Sequence, residues 1–85
     1  MRVRCYAYSL EDEPFLDINV ETVGDMLHEF RTKIDPYKYP NEINVKIGIE
    51  SSILYDPYFR TFKEWNGYQW INISYNRVYH LFNRA

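Results

Sequence analysis

The stretch of sequence that decides the fold is TVGDMLHEFRTKIDP, residues 22–36. Its apolar residues recur at the three- and four-residue intervals that are typical of an amphipathic helix. They are Val23, Met26, Leu27, Phe30 and Ile34. Thr22 fits the N-cap position, and Asp25 three residues later can complete a capping box. Asp35 precedes Pro36 and is therefore disfavoured in helical geometry, so we expect the helix to end there.

The segment before this helix alternates between apolar and polar residues. One face of the first strand has Val3, Cys5 and Ala7, and the other face has Arg2, Arg4, Tyr6 and Tyr8. After an acidic run at residues 11–14, the second strand alternates Leu16, Ile18 and Val20 with Phe15, Asp17 and Asn19. Strict alternation is the period of a half-buried strand. The chain is therefore predicted to open with a β-hairpin joined by an acidic turn.

The segment after the helix begins with a loop over residues 35–42. Pro36 and Pro40 restrict its backbone, and Tyr37 and Tyr39 give it side chains that can pack. Apolar residues then alternate with polar or small ones, and they are Ile43, Val45, Ile47 and Ile49. This alternation predicts a further strand.

Residues 55–66 fit two structures. Asp56 as N-cap, Pro57 at the first helical position and Gly67 beyond the end describe a short helix. Its apolar face would comprise Tyr58, Phe59, Phe62 and Trp65. The pair Asn66-Gly67, in contrast, is a strong signal for a tight hairpin turn, which would make both flanks strands. The apolar spacing favours the helix.

The remaining chain reads as a strand over residues 68–75, a turn at 75–77, and a last strand or a short terminal helix over 77–82. The predicted fold is α+β: a small mixed sheet of four to five strands with one central amphipathic helix, arranged as ββαβ plus C-terminal strands. It forms a single domain over residues 1–85. The order of elements resembles the ubiquitin-like β-grasp arrangement, in which an opening hairpin and a central helix pack on a mixed sheet.

Chain length and composition restrict the class of protein. Eighty-five residues leave room for one domain. Cys5 is the single cysteine, which argues against a secreted scaffold held by disulfides. No segment has the apolar run of a signal peptide or approaches the roughly 20 apolar residues that span a bilayer. We therefore expect an intracellular, cytoplasmic protein without a membrane partner.

Candidate catalytic residues are few. His28 lies at the margin of the apolar helix face, His80 lies among apolar residues, and Cys5 occupies an inward strand position. The carboxylates at residues 11–13 and Asp17 are expected at a solvated turn rather than in a cleft. The three glycines are isolated, so no phosphate-binding loop exists. The sequence predicts no catalytic residue, metal site or cofactor, and hence no enzyme.

Aromatic residues are the unusual feature, with nine tyrosines, five phenylalanines and two tryptophans. Tyr6 and Tyr8 share a strand face with Arg4, and this face needs a second covering layer or a partner. Tyrosine and arginine are enriched at protein-protein hot spots. The predicted partner-binding residues are Arg4, Tyr6, Tyr8, Tyr37, Tyr39, Tyr58 and Arg60. The alternative is that most of these side chains complete a small core.

These features predict a small non-enzymatic protein-binding or regulatory module. Residues with AT-rich codons are abundant, which suggests a bacteriophage or mobile-element protein that modulates a host protein. The alternative function is single-stranded nucleic-acid binding through the Arg/Tyr sheet face. The net charge of −2 disfavours that alternative, because little attraction for phosphates remains. Homodimerisation through an exposed edge strand or surplus aromatics is an independent alternative.

Overall fold

A computed structural model describes residues 1–10, 12–39, 41–49 and 51–84. The elements within these ranges are β1 (Arg2–Tyr6), β2 (Leu16–Asn19), α1 (Val23–Lys33), β3 (Ile43–Ile47), β4 (Ser51–Asp56), β5 (Thr61–Trp65), β6 (Trp70–Ile73) and α2 (Tyr75–Arg84). The predicted acidic turn and the predicted ordered loop each include one residue, Glu11 and Pro40 respectively, that lies outside the described residues.

The described strands form one sheet in the order β2-β1-β3-β4-β5-β6. Every neighbouring pair is antiparallel. The predicted opening hairpin is confirmed, because Val3 pairs with Ile18 and Cys5 pairs with Leu16. The core lies between one face of this sheet and the two helices. Its fully buried members include Val3, Cys5, Val23, Met26, Phe30, Ile43, Val45, Ile47, Ile53, Phe62 and Val78.

The predicted central helix is confirmed as α1. The Thr22 hydroxyl accepts the Asp25 backbone N–H at 3.0 Å, which satisfies one of the donors that a helix start leaves free. The helix ends at Lys33, two residues before the Asp35-Pro36 pair. Its buried residues are Val23, Met26 and Phe30. Helical spacing therefore directs one face of α1 onto the sheet, as the apolar pattern predicts.

A chain of aromatic rings connects the two helices through the sheet. The Phe30 ring on α1 lies 5.1 Å from that of Tyr55 on β4, and Tyr55 lies 4.8 Å from Phe62 on β5. Phe62 in turn meets Tyr75, the first residue of α2, edge-on at 5.9 Å. Tilted and edge-on pairs at these separations are favourable beyond the area that they bury. The aromatic chain thus fixes both helices and two central strands relative to one another.

The predicted helix over residues 55–66 is wrong, and the alternative hairpin structure is correct. Asp56 does begin a turn after β4, but Arg60 adopts a positive φ of 58° and the chain returns as β5. Tyr55 and Phe62, which pair across the two strands, point into the core. Tyr58 and Phe59, the residues whose spacing favoured a helix, are exposed instead. These two aromatic side chains therefore do not pack in the core.

The predicted strand over residues 68–75 is confirmed as β6, and for residues 77–82 the short terminal helix is correct rather than the alternative last strand. The predicted turn at residues 75–77 is wrong, because these residues begin that helix. After β6, the chain forms α2 from Tyr75, and Val78, Leu81 and Phe82 become buried at helical spacing. The α+β class is confirmed. The described sheet has six antiparallel strands rather than four or five mixed ones, and two helices cover it rather than one. The likeness to the β-grasp arrangement is unconfirmed.

Both helices share a core with the same side of the sheet, and we call the opposite side the open face. Strand register assigns residues to it, because directly paired residues point to the same side. Arg4, Lys46 and Ser52 pair in succession across β1, β3 and β4. Others on this face are Arg2, Tyr6, Asn44, Leu54, Lys63, Trp65 and Trp70.

An ion pair anchors α2 to β5. The Arg77 guanidinium donates to both carboxylate oxygens of Glu64, each at 2.8 Å. A bidentate pair of this kind fixes orientation as well as distance. These hydrogen bonds lower the pKa of Glu64 below its ordinary value. The pair therefore stabilises the fold while Glu64 is ionised.

We predict that Glu64→Gln lowers the urea midpoint of unfolding at pH 7. A carboxyl with a depressed folded pKa contributes stability that is present above its unfolded pKa and is lost as the pH falls through its folded pKa. The difference from the wild type should therefore close as the pH falls below about 4.5. Glu13→Gln, at an exposed position, should have the same urea midpoint as the wild type both at pH 7 and at pH 3. A difference between the wild type and Glu64→Gln that stays the same size as the pH falls from 7 to 3 would contradict this role for the ion pair.

Candidate functional site

Two surface turns share the tripeptide Asp-Pro-Tyr, at residues 35–37 and 56–58. In the first turn, Asp35 Oδ1 accepts the Tyr37 backbone N–H at 2.9 Å. In the second, Asp56 Oδ1 accepts the Tyr58 backbone N–H at the same distance. Aspartate commonly holds a turn in this way, and proline restricts the backbone between the bonded residues. The two tyrosines are therefore presented by matching, locally fixed turns.

The two turns bring their tyrosine rings together. The Tyr37 and Tyr58 ring centroids are 6.2 Å apart with an interplanar angle of 74°, and Phe59 lies 4.9 Å from Tyr58. These three side chains, which we call the aromatic cluster, expose 82%, 60% and 71% of their surface respectively. Three adjacent aromatic side chains that contact one another yet remain this exposed are unusual, because exposed apolar residues are normally scattered singly. The cluster is the main candidate site.

The turn that carries Tyr58 and Phe59 has further hydrogen bonds. Asp56 Oδ1 also accepts the Phe59 N–H at 3.1 Å, and the Asp56 carbonyl accepts the Arg60 N–H at 2.7 Å. The Tyr75 hydroxyl donates to the Arg60 carbonyl at 3.2 Å, which links the turn to α2 and the aromatic chain of the core. The turn is thus restrained from both sides. Arg60, a predicted site residue, lies in it and is exposed.

A shallow groove lies beside the cluster at the same end of the sheet. Tyr39 is half-buried and stacks on Phe15 at 4.5 Å, with the Lys38 ammonium 5.8 Å from its ring centroid. Tyr8 is almost fully exposed. A cavity of about 310 Å³ is lined by Ala7, Tyr8, Lys38, Tyr39, Asn41 and Glu42. A second cavity shares Asn41 and Glu42 and extends to Leu54 and Asp56. Asp56 therefore connects the groove to the turn of the aromatic cluster.

Two of the predicted site residues do not join this surface. Tyr6 lies on the strand face opposite to the core, as predicted, and only 4% of it is exposed, so this side chain is covered rather than open to a partner. Its register partner Asn44 donates from Nδ2 to the Tyr8 carbonyl at 2.8 Å, which holds the chain after β1 against this part of the sheet. Arg4 lies in the middle of the open face and donates to the Gly48 carbonyl at 3.2 Å.

The structure gives the other titratable candidates no common site. His28 and His80 are exposed and lie on different helices. Cys5 is completely buried, and burial raises its pKa to about 12, so the nucleophilic thiolate is scarcely populated at neutral pH. Asp17 pairs with Arg2 at 2.7 Å. Burial in the core explains Cys5, and the ion pair with Arg2 explains Asp17.

Neither a metal-binding cluster nor a membrane-spanning helix occurs within the described residues. No group of three or more histidine, cysteine, aspartate or glutamate side chains in those ranges could hold a metal ion. No helix in the same ranges is both long and apolar enough to cross a membrane.

Comparison with protein-family models, with curated proteins and with solved structures finds no match to this chain. The function must therefore be inferred from the geometry of the site itself.

Sequence reasoning selected Tyr37 and Tyr58 singly but missed their pairing and missed Phe59. The repeated Asp-Pro-Tyr tripeptide is the signal that could have identified two equivalent turns. Nothing in the spacing of the two copies shows that they meet. That contact results from the order of strands, which places the loop after α1 beside the turn after β4.

We predict that Asp56→Ala lowers the free energy of unfolding by about 1 to 2 kcal/mol, as loss of a helix N-cap does. The substitution removes the acceptor for two backbone N–H groups. Asp56→Asn keeps an acceptor oxygen and should cost less than about 0.5 kcal/mol. Urea denaturation of the three proteins measures both changes. If both variants lost the same free energy of unfolding, the Asp56 side chain would not stabilise the turn as a hydrogen-bond acceptor.

Proposed function

We propose that this chain is a non-enzymatic protein-binding module that docks on its partner through the aromatic cluster and the adjoining groove. The observation that supports the proposal is the contact between Tyr37 and Tyr58, two exposed rings fixed by matching turns. Rigid aromatic side chains supply a large contact area at low cost in conformational entropy. Fixing them before binding reduces that cost further.

The composition of the surface favours a protein partner. Aromatic residues are enriched at the centres of protein interfaces, whereas lysine and the carboxylates are depleted there and more often occupy the rim. Here the aromatic cluster stands at the centre of the candidate surface. Around it lie Lys38 and Glu42, which line the groove, and Arg60, which follows Phe59. The charges have mixed sign, so they suit a polar rim more than a site for a strongly charged ligand.

The predicted site residues take different parts in this proposal. Tyr37 and Tyr58 form its centre with Phe59, and Tyr8 and Tyr39 line the groove. Arg60 lies at the edge of the cluster. Arg4 and Tyr6 are left out, because Tyr6 is buried and Arg4 lies on the open face. A regulatory role, a bacteriophage or mobile-element origin and a cytoplasmic location remain predictions from the sequence.

The proposal predicts capture of a partner that depends on the cluster. Immobilised protein is exposed to a lysate of the cells that produce it, and the retained proteins are quantified by mass spectrometry. The variant Tyr37→Ala/Tyr58→Ala should lose a specific retained protein, with affinity at least about tenfold weaker, because hot-spot truncation costs about 2 kcal/mol or more. Tyr79→Ala, on the exposed side of α2, is the matched control and should retain that protein.

Thermal unfolding of each variant separates loss of binding from loss of fold. Both substituted tyrosines are largely exposed, so the double variant should unfold close to the wild-type temperature. A partner that the folded double variant retains as well as the wild type does would refute the assignment of the site.

A second candidate function is binding of single-stranded nucleic acid on the open face. Tyr6 is buried and contributes little to the predicted Arg/Tyr surface, but Trp65 and Trp70 lie on this face with ring centroids 5.6 Å apart, and both are partly exposed. Aromatic rings on an uncovered sheet can stack bases. Lys46 and Lys63 share the face, although Lys63 is paired with Glu42 at 2.6 Å. The electrostatic attraction for phosphates is correspondingly weak.

Tryptophan fluorescence tests this second candidate directly, because both tryptophans of the chain belong to the proposed stacking surface. Titration with oligothymidine at low salt should quench the emission, and the affinity should fall as salt rises. Trp70→Ala should weaken binding, whereas Tyr79→Ala should not. Emission that stays constant at low salt would eliminate this candidate.

A further inference from the structure

The two edge strands of the described sheet differ in how they are protected. An exposed strand edge invites pairing with another chain, and proteins usually block it with charge, proline or a covering element. At β2, Asp17 carries a charge paired with Arg2, and Pro14 precedes the strand. At β6 there is no such protection, because residues 66–76, NGYQWINISYN, contain no charged residue. The β6 edge therefore lacks the charges that would hinder pairing with a strand of another chain.

Several side chains along this edge are apolar and accessible. Tyr68, Trp70 and Ile71 expose 90%, 41% and 38% of their surface. Within the described ranges, β6 pairs with β5 along one side only, and its other side meets no further strand. Trp70, Ile71 and Asn72 are all exposed, which indicates that α2 does not cover this edge.

Nearby charges on β5 are already satisfied within the chain. Lys63 pairs with Glu42, and Glu64 pairs with Arg77. The charged side chains of β5 next to this edge are therefore neutralised by partners within the chain. A second copy of the same edge would meet it without the repulsion that like charges produce across paired strands.

We propose that β6 pairs antiparallel with β6 of a second copy about a twofold axis perpendicular to the sheet. Antiparallel pairing about such an axis keeps Ile71 and Ile73 of both copies on the helix side and Trp70 and Asn72 of both on the open face. The assignment of side chains to the helix side and to the open face then continues from one sheet into the other. The partner that best fits this edge is the chain itself, since an uncharged strip is complementary to its own copy.

The available area sets the expected strength of the dimer. At about 200 Å² for each aromatic side chain, the exposed parts of Tyr68 and Trp70 offer roughly 250 Å² per copy. Ile71, Trp65 and the strand backbone bring the total for two copies towards the roughly 1,000 Å² that a specific interface needs. The dimer is thus at the small end of the range, and its population should depend on concentration.

The proposed dimer leaves the aromatic cluster free. Tyr58 and Phe59 of the cluster lie in the turn between β4 and β5, whereas the junction is the outer side of β6, which β5 separates from β4. A dimer would therefore display two copies of the cluster. The proposal goes beyond the partner-binding function and does not rest on it.

Light scattering over a dilution series tests the dimer. The wild type should have twice the chain mass of 10.4 kDa at high concentration and approach 10.4 kDa on dilution. Ile71→Lys places like charges opposite or diagonal to each other and should raise the dissociation constant about tenfold or more. Ile49→Lys makes the same change at an isoleucine that is highly exposed in the β3–β4 turn, and it should dimerise like the wild type.

A mixture of variants separates repulsion from misfolding. Ile71→Lys and Ile71→Glu should each be monomeric alone and should dimerise when mixed, because opposite charges then meet across the junction. A wild-type mass of 10.4 kDa at every concentration would overturn the proposal and leave the edge to a different protein. Failure of the mixture to dimerise while the wild type does would place the dimer contact elsewhere.

Discussion

The chain of rings Phe30, Tyr55, Phe62 and Tyr75 is the interaction on which the rest of the structure depends. It joins α1, β4, β5 and α2 through two tilted ring pairs and one edge-on pair, and only Tyr75 is appreciably exposed. Tyr75 extends the chain to the surface, because its hydroxyl donates to the Arg60 carbonyl in the turn after β4. The same packing that holds the core together therefore also restrains the turn that presents Tyr58 and Phe59.

The two helices cover one face of the sheet, and this arrangement determines where interaction surfaces can lie. Two helices share the core with a single face, so the open face, the β6 edge and the loop end remain accessible. The loop end has rigid aromatic side chains, and the β6 edge has an uncharged strand. The open face is largely neutralised by internal pairs such as Lys63 with Glu42. Each surface therefore favours a different kind of contact, and a small domain can use more than one of them.

Local sequence pattern correctly predicted the elements whose apolar residues pack in the core where the pattern places them. The spacing from Val23 to Ile34 and the Thr22 cap identified α1, and strict alternation identified β1, β2 and β3. The pattern failed at residues 57–60, because Asp56 and Pro57 suit a helix start and a tight turn equally well. Only the positive φ of Arg60 and the pairing of Tyr55 with Phe62 distinguish the two. Likewise, alternation placed Tyr6 away from the core but could not show that it is buried there, beside Asn44, which holds the chain after β1 from another strand.

The central claim is that two Asp-Pro-Tyr turns hold Tyr37 and Tyr58 against each other in the free protein. Nuclear Overhauser spectroscopy of the unliganded chain tests it most directly, with the ring signals assigned through Tyr37→Phe and Tyr58→Phe. Rings whose centroids lie 6.2 Å apart should give cross-peaks between their protons. Cross-peaks from Tyr58 to Phe59 without any to Tyr37 would contradict the claim, because the two turns would then present their tyrosines separately.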